Sequence, residues 1–284
     1  MSKVAIVTDS TAYIPAELAK QLNISVVPLI LIWGEESFED GVEMLPEDFY
    51  RRMANSREIP TTSQATMLSM KNAFEDLLEK GNEVLGIFIS SRLSGTVQSA
   101  LQARQTLPKG QDKIVIIDSL ATTMALGWPV LTAARAAAAG ENLVGCQKLA
   151  ETARDQTGVM FVVETLEYLR RGGRIGGAQA MLGTLLKVKP LLELQDGRIE
   201  SVEKIRTRKQ ALARMLELVE EKIAGRSPVR LAVSHANAES EALALLEAAR
   251  QRFNPIESFH CPLSPVIGCH AGPGTLALSF MTGL

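Results

Sequence analysis

Three loops of this 284-residue chain concentrate side-chain hydroxyls. They read Thr8-Asp9-Ser10-Thr11, Thr61-Thr62-Ser63-Gln64 directly after Pro60, and Ser90-Ser91-Arg92-Leu93-Ser94-Gly95-Thr96. Hydroxyls donate hydrogen bonds but are weak bases, so they suit the binding of a small anion better than proton abstraction. The third loop precedes an expected helix, whose first turn adds unpaired backbone N–H groups and partial positive charge. A carboxylate held there needs no salt bridge. Ser94 and Thr62 also read as plain helix caps, but the recurrence of such loops in one half of the chain weighs towards an anion site.

Histidine and cysteine invite a metal reading at His260-Cys261 and Cys269-His270. Adjacent residues on an extended chain point in opposite directions, and the spacing matches no common zinc knuckle, so no metal is expected. His270 lies in Cys269-His270-Ala271-Gly272-Pro273-Gly274, where glycine lets backbone approach a ligand closely. A polar role beside a bound anion and a simple hydrogen bond to a turn both fit it. His235 follows an expected strand and has no identifiable partner. Arg170, Arg171 and Arg174 bracket Gly172-Gly173, and Lys204, Arg206, Arg208 and Lys209 follow another strand. Such groups complement a helix C-terminus or grip an acidic partner or phosphate, and the pattern alone leaves both open.

Several enzyme signatures are missing: no G-x-x-x-x-G-K-[ST] loop, no G-x-G-x-x-G after the first strand, and no G-x-S-x-G elbow. Lys+Arg 30 against Asp+Glu 32 gives a net charge of -2, so no general basic field attracts nucleic acid. Three cysteines are too few for a disulfide framework, and the opening MSKVAIVTDS lacks the layout of a secretory signal. A reduced, cytoplasmic protein is expected. The longest apolar runs fall short of the ~18 residues of a membrane span.

The elements that must position these residues follow from hydrophobic periodicity. Val4–Val7 reads as a strand, Pro15–Leu22 as a helix, and Ile24–Ile32 as a second apolar strand. Strands at Val84–Ile89 and Ile114–Ile117 precede helices over Val97–Leu107 and Ala125–Ala139. Short buried strands alternating with helices imply a parallel sheet, whose carboxyl rim would gather Asp9, Ser10, Ser94 and Asp118. From about residue 155 the pattern changes. It continues with a strand at Val159–Val163, a helix at Glu164–Arg171 stopped by glycines, and a hairpin around Asp196-Gly197 between Pro190–Leu194 and Ile199–Val202. A helix over Lys209–Ala224, a strand at Arg230–Ser234, a helix at Glu239–Phe253 and a last strand at Thr275–Phe280 complete it. The expected architecture is α/β in two domains: residues 1–155 with a Rossmann-like parallel sheet, and a smaller 156–284 α/β domain with a mixed sheet.

Five ordered motifs carry a resemblance that spans essentially the whole chain: TDST at Thr8–Thr11, PTTSQ at Pro60–Gln64, SSRLSGTVQSA at Ser90–Ala100, LEYLRRGGRI at Leu166–Ile175 and HAGPG at His270–Gly274. The chain resembles the DegV proteins, fatty-acid-binding subunits that serve bacterial fatty acid kinases. One departure is Ala65, where many relatives continue PTTSQ with proline. The resemblance implies a two-domain α/β fold that buries one acyl chain, C14–C18 in length, and holds its carboxylate with hydroxyls. It makes Thr62 and Ser94 the carboxylate ligands, with Thr61 and His270 close by and Gly95 letting the helix N-terminus approach. It implies no catalytic residue and no cofactor on this chain. A separate ATP-dependent kinase phosphorylates the bound carboxylate to an acyl phosphate for phospholipid synthesis. Arg170, Arg171, Arg174 and Arg206 would meet that partner, and transient contact with a membrane surface is compatible.

Val26–Phe49 and Leu263–Ile267 are apolar enough to line a tunnel. Burying a chain of ~16 carbons at about 0.8 kcal/mol per CH₂ would hold it with little polar specificity. Two other readings stand beside the carrier. One is a serine hydrolase or acyltransferase with Ser94 activated by His270. The other is a lipid-responsive regulator that docks a protein through its arginines.

Overall fold

The computed structural model describes residues 3–284, with 183–187 described by backbone alone. The first run of β-branched residues forms β1 (Val4–Asp9), buried over its last four positions. Tyr13 in the left-handed region turns the chain, and α1 (Ala16–Gln21) follows Pro15. The single strand expected over Ile24–Ile32 is two strands, β2 (Ser25–Val27) and β3 (Ile30–Trp33). Pro28 lies between them and has no N–H for a ladder. The chain therefore changes sheets there: β2 pairs in parallel with β1, whereas β3 pairs antiparallel with β4 (Glu36–Glu39).

After α2 (Pro46–Asn55), strand β5 (Thr61–Ser63) joins the other edge of β3, giving a three-stranded sheet β4-β3-β5. The periodicity reading placed no sheet here, because strands of three or four residues carry too few alternating positions to show it. Then come α3 (Met67–Glu79), β6 (Glu83–Phe88), α4 (Thr96–Thr106) and β7 (Ile114–Asp118). Strands β2-β1-β6-β7 form one parallel sheet.

The Ala-rich segment forms α5 (Met124–Ala138), followed by α6 (Leu143–Asp155). Every residue from Met124 to Leu131 is buried, a helix apolar all round because it has a partner on every side. Its N-terminal-half neighbours include Ile6, Leu85 and Ile87, and Ala232, Cys261 and Met281 of the second sheet belong to the same core. Trp128 stacks on Phe259 with ring centroids 5.4 Å apart. Small side chains let the helix fit this space: a Cβ on Gly127 would lie 2.6 Å from the Ala12 carbonyl oxygen.

The remaining strands build a mixed six-stranded sheet. They are β8 (Thr157–Val162), β9 (Lys189–Gln195), β10 (Arg198–Ile205), β11 (Val229–His235), β12 (Glu257–Pro262) and β13 (Leu276–Thr282), in the order β10-β9-β8-β13-β11-β12. Only β11 and β12 run in parallel. Four helices intervene: α7 (Glu167–Arg171), shorter than the expected Glu164–Arg171, α8 (Arg208–Ile223), α9 (Glu239–Phe253) and α10 (Pro265–Ala271).

Alternation along β8 sends Met160 and Val162 to one face, where Met215, Val219, Leu245 and Leu246 of α8 and α9 cover them. Val159 and Phe161 point to the other face, with Leu192, Ala277 and Leu169. That second face looks towards the N-terminal half.

Candidate functional site

Between this face and the N-terminal half lies a cavity of about 1000 Å³, its open mouth included. One wall is apolar, built by Val159, Phe161, Leu169, Leu194, Ile199 and Ala277. The rest of the lining includes Thr62, Gln64, Ser94, Arg174 and His270 together with apolar Leu29, Ile89 and Val266.

Thr62 pairs with Leu31 across the edge of the three-stranded sheet, and the strand's alternation leaves Thr61 and Ser63 exposed. His270 sits in the last turn of α10. Its Nε2 lies 2.7 Å from Thr62 Oγ1. Burial, and then the neighbouring Arg174 charge, push its pKa down to about 4, so the imidazole is neutral near pH 7. With its proton on Nε2, the ring donates to Thr62 Oγ1 and leaves the threonine O–H for a ligand oxygen. The other ring nitrogen, Nδ1, is buried without a hydrogen-bond partner among the described residues. It lies over Gly172, where a Cβ would come within 2.0 Å.

Helix α10 is held from the N-terminal half. Asp40 Oδ1 accepts from the Val266 N–H at 3.1 Å, and Ser10 donates to Asp40 Oδ2 at 2.7 Å. The Ser264 N–H donates to the Tyr13 hydroxyl, which donates in turn to Ser264 Oγ. Burial raises the Asp40 carboxyl to about 6, so its charge at the helix N-terminus stands against a desolvation cost.

Ser94 lies in the turn between β6 and α4. Asp9, itself raised by burial, accepts from the Ile89 N–H at 2.7 Å and fixes the start of this turn. Two bonds tie the turn to the other half: Ser90 Oγ donates to the Gly197 carbonyl at 2.9 Å, and Arg174 Nε donates to the Leu93 carbonyl at 3.0 Å. Ser94 Oγ lies 2.9 Å from the buried Thr96 Oγ1 and accepts weakly from the Thr96 N–H at 3.4 Å. It lines the cavity beside the first turn of α4, whose N-cap is Gly95 with no side-chain cap, so Ser94 is not the cap that the sequence allowed. Gly95 leaves room for Gln64: a Cβ there would come 2.2 Å from its Oε1, while its Nε2 donates to Ser99 Oγ.

The other expected site residues are spread more widely. Thr61 lines a smaller cleft that shares Thr62, Arg174 and His270 with the main cavity and adds Tyr168 and Arg171. Arg170 and Arg171 are exposed and both pair with Glu167. Arg206 is exposed between β10 and α8. Arg174, grouped in sequence with the outward-facing arginines, is partly buried and turned into the cavity wall. Its Nη1 also donates to the Gly172 carbonyl at 2.6 Å. The Gly172-Gly173 turn lies between Arg174 and Arg171, and both line the smaller cleft.

The expected rim of Asp9, Ser10, Ser94 and Asp118 is not one site. Asp9 and Asp118 spend their oxygens on backbone N–H groups of nearby loops, and Ser10 faces a separate cleft with Asp40. His235 has a partner after all, stacking on His260 with centroids 4.9 Å apart. Among the described residues, no hydrogen bond joins Ser94 to His270, whose Nε2 is taken by Thr62. Gln64, Arg174, Thr122 and Thr123 also line the cavity. Gln64 closes the hydroxyl motif and was legible as such; Arg174 was expected to face a partner, and Thr122 and Thr123 carried no local signal.

The profile described as "Uncharacterised protein, DegV family" matches residues 3–283. The chain belongs to the DegV family. This DegV chain is 38% identical over 281 residues to a DegV domain-containing protein of Halalkalibacterium halodurans, covering 99% of both. It is 36% identical over 281 residues to Protein DegV of Bacillus subtilis, covering 97% of this chain and 98% of that one. Among solved structures it is similar to a fatty-acid-binding DegV family protein from Thermus thermophilus, with 34% identity and a TM-score of 0.91 over 99% of this chain and 100% of that one. It is also similar to DegV of Bacillus subtilis, described as a fatty acid binding protein, with 36% identity and a TM-score of 0.90 over 100% of both chains.

Proposed function

We propose that this protein binds a long-chain fatty acid, burying the acyl chain in the cavity and holding its carboxylate at Thr62 and Ser94. The observation that carries the reading is the make-up of one cavity lining, largely apolar but with a few hydroxyls, one arginine and a neutral histidine. Thr62 and Ser94 donate O–H groups, the Nε2–H of His270 orients Thr62, and Arg174 supplies a positive charge. The fatty-acid-binding relatives in Thermus thermophilus and Bacillus subtilis support it.

In this reading residues 1–155 carry the carboxylate loops and 156–284 complete the lipid site. The chain is a carrier: a separate ATP-dependent kinase phosphorylates the presented carboxylate to an acyl phosphate that feeds phospholipid synthesis. Arg170, Arg171 and Arg206 meet that partner. The smaller cleft beside Thr62 and His270, lined by Arg171 and Arg174, is the side from which a phosphoryl group reaches the carboxylate.

Native mass spectrometry of the purified protein, followed by denaturing extraction, tests the binding step. One co-purifying or readily captured C14–C18 acid per chain is expected; an empty protein that refuses added fatty acid overturns it. Conversion of fatty acid and ATP to acyl phosphate by this chain alone overturns the carrier role.

A further inference from the structure

Two hydroxyls of the cavity wall take no part in the head-group cluster. Thr122 and Thr123 line the cavity and are 9% and 4% exposed. Each has its Oγ1 buried with no hydrogen-bond partner among the described residues. Threonines that only pack usually return their O–H to a backbone carbonyl. Thr275, on the same cavity, does so with the carbonyls of Ala271 and Gly272 at 2.9 Å each. Thr122 and Thr123 do not, and both sit where α5 begins, a helix whose first turn has no side-chain cap.

Their position separates them from Thr62 and His270, while the Ser90 N–H, donating to the Ala121 carbonyl at 2.9 Å, sets their loop beside the turn that carries Ser94. The smaller cleft that reaches Thr62, Arg174 and His270 is not lined by Thr122 or Thr123. Their immediate core neighbours are apolar: Ala121 and Ala125, on either side of the pair, pack with Val159 and Phe161. A plain methylene chain passing here leaves both hydroxyls desolvated and unpaired, which is unfavourable. A hydroxyl on the chain can donate to one threonine and accept from the other, as neither a methylene nor an ether does.

We propose that Thr122 and Thr123 form a second polar station in the cavity that recognises a hydroxyl carried on the acyl chain, making hydroxylated long-chain fatty acids preferred ligands. The inference rests on the fatty-acid reading above and adds the substituent that the cavity selects.

Competition binding tests it, with stearate as reference and a set of hydroxystearates that differ in the position of the hydroxyl. One positional isomer is expected to bind the wild-type protein about tenfold more tightly than stearate, the scale of one satisfied buried hydrogen bond. In Thr122→Val/Thr123→Val, which keeps the β-branched shape, that preference falls to within about twofold and stearate binds more tightly than before. Thr122→Ser with Thr123 intact restores part of the preference, which guards against a merely misfolded valine variant. The station is overturned if no isomer outcompetes stearate, the result expected when ordered water fills the place, or if the preference survives the valine substitutions. Failure of the wild-type protein to bind stearate and every isomer overturns the fatty-acid reading itself.

Discussion

His270 Nε2 lies 2.7 Å from Thr62 Oγ1, joining a short helix of the C-terminal half to an edge strand of the N-terminal half. Burial, and then the Arg174 charge, hold the His270 pKa at about 4, so the ring makes this contact uncharged near pH 7. With the ring proton on Nε2, the Thr62 O–H is left for a ligand in the cavity that Ser94 also lines.

Removing either donor weakens the grip on a charged head group. Ser94→Ala and Thr62→Val each lose a hydrogen bond worth about 1.5–3 kcal/mol to a carboxylate, so affinity for a fatty acid falls roughly tenfold or more. Isothermal titration with a single fatty acid checks this, and unchanged affinity in both variants sinks the assignment.

Gly172 is the floor under His270. Its φ of -72° suits any residue, so Gly172→Ala strains no backbone, but the new methyl would lie 2.0 Å from His270 Nδ1 and must displace the ring. Fatty-acid affinity is expected to fall about tenfold, as in His270→Ala. Because both changes act on one contact, the double variant is expected to be no weaker than the worse single one. Additive losses would show that Gly172 acts elsewhere.

Asp40 makes stability depend on pH. Burial raises its folded-state value from 3.8 to about 6, so the penalty for charging it is absent below the unfolded value and fully developed above the folded one. Relative to Asp40→Asn, the wild-type protein should lose stability as pH rises from about 4 to about 6, with a constant difference above that. His270, whose folded value is depressed, acts with the opposite sign, but it is present in both proteins and cancels in the comparison. Urea midpoints of the two proteins across this range measure the effect; a pH-independent difference would mean that Asp40 does not titrate there.

Arg206 lies exposed beyond β10, away from the cavity lining. Arg206→Ala is therefore expected to leave fatty-acid binding intact and to lower acyl phosphate formation in a coupled assay with a fatty acid kinase. A parallel loss of lipid binding would assign Arg206 to the fold instead.

Much of this architecture is legible along the chain because its causes are local. Runs such as Val84–Ile89 must be buried strands wherever they pack, and the all-apolar face of α5 could come only from a helix enclosed on every side. Hydroxyl-rich turns before helices announce donors whatever faces them. The sheet change at Pro28 was harder to see, since a missing N–H forbids a ladder bond without saying which sheet comes next.

What the sequence determined by itself was the alternation of strands and helices, the hydroxyl loops and the family to which they point, all features set by short-range periodicity and residue type. Tertiary structure alone decided which of these residues converge. Thr62 and His270 are 208 positions apart, and Asp40 reaches the N–H of Val266 across 226. It also turned Arg174 into the cavity wall while Arg170 stayed outside, and left Thr122 and Thr123 without a hydrogen-bond partner among the described residues. Such pairings depend on how two sheets pack around one shared helix, and no window of neighbouring residues contains that information.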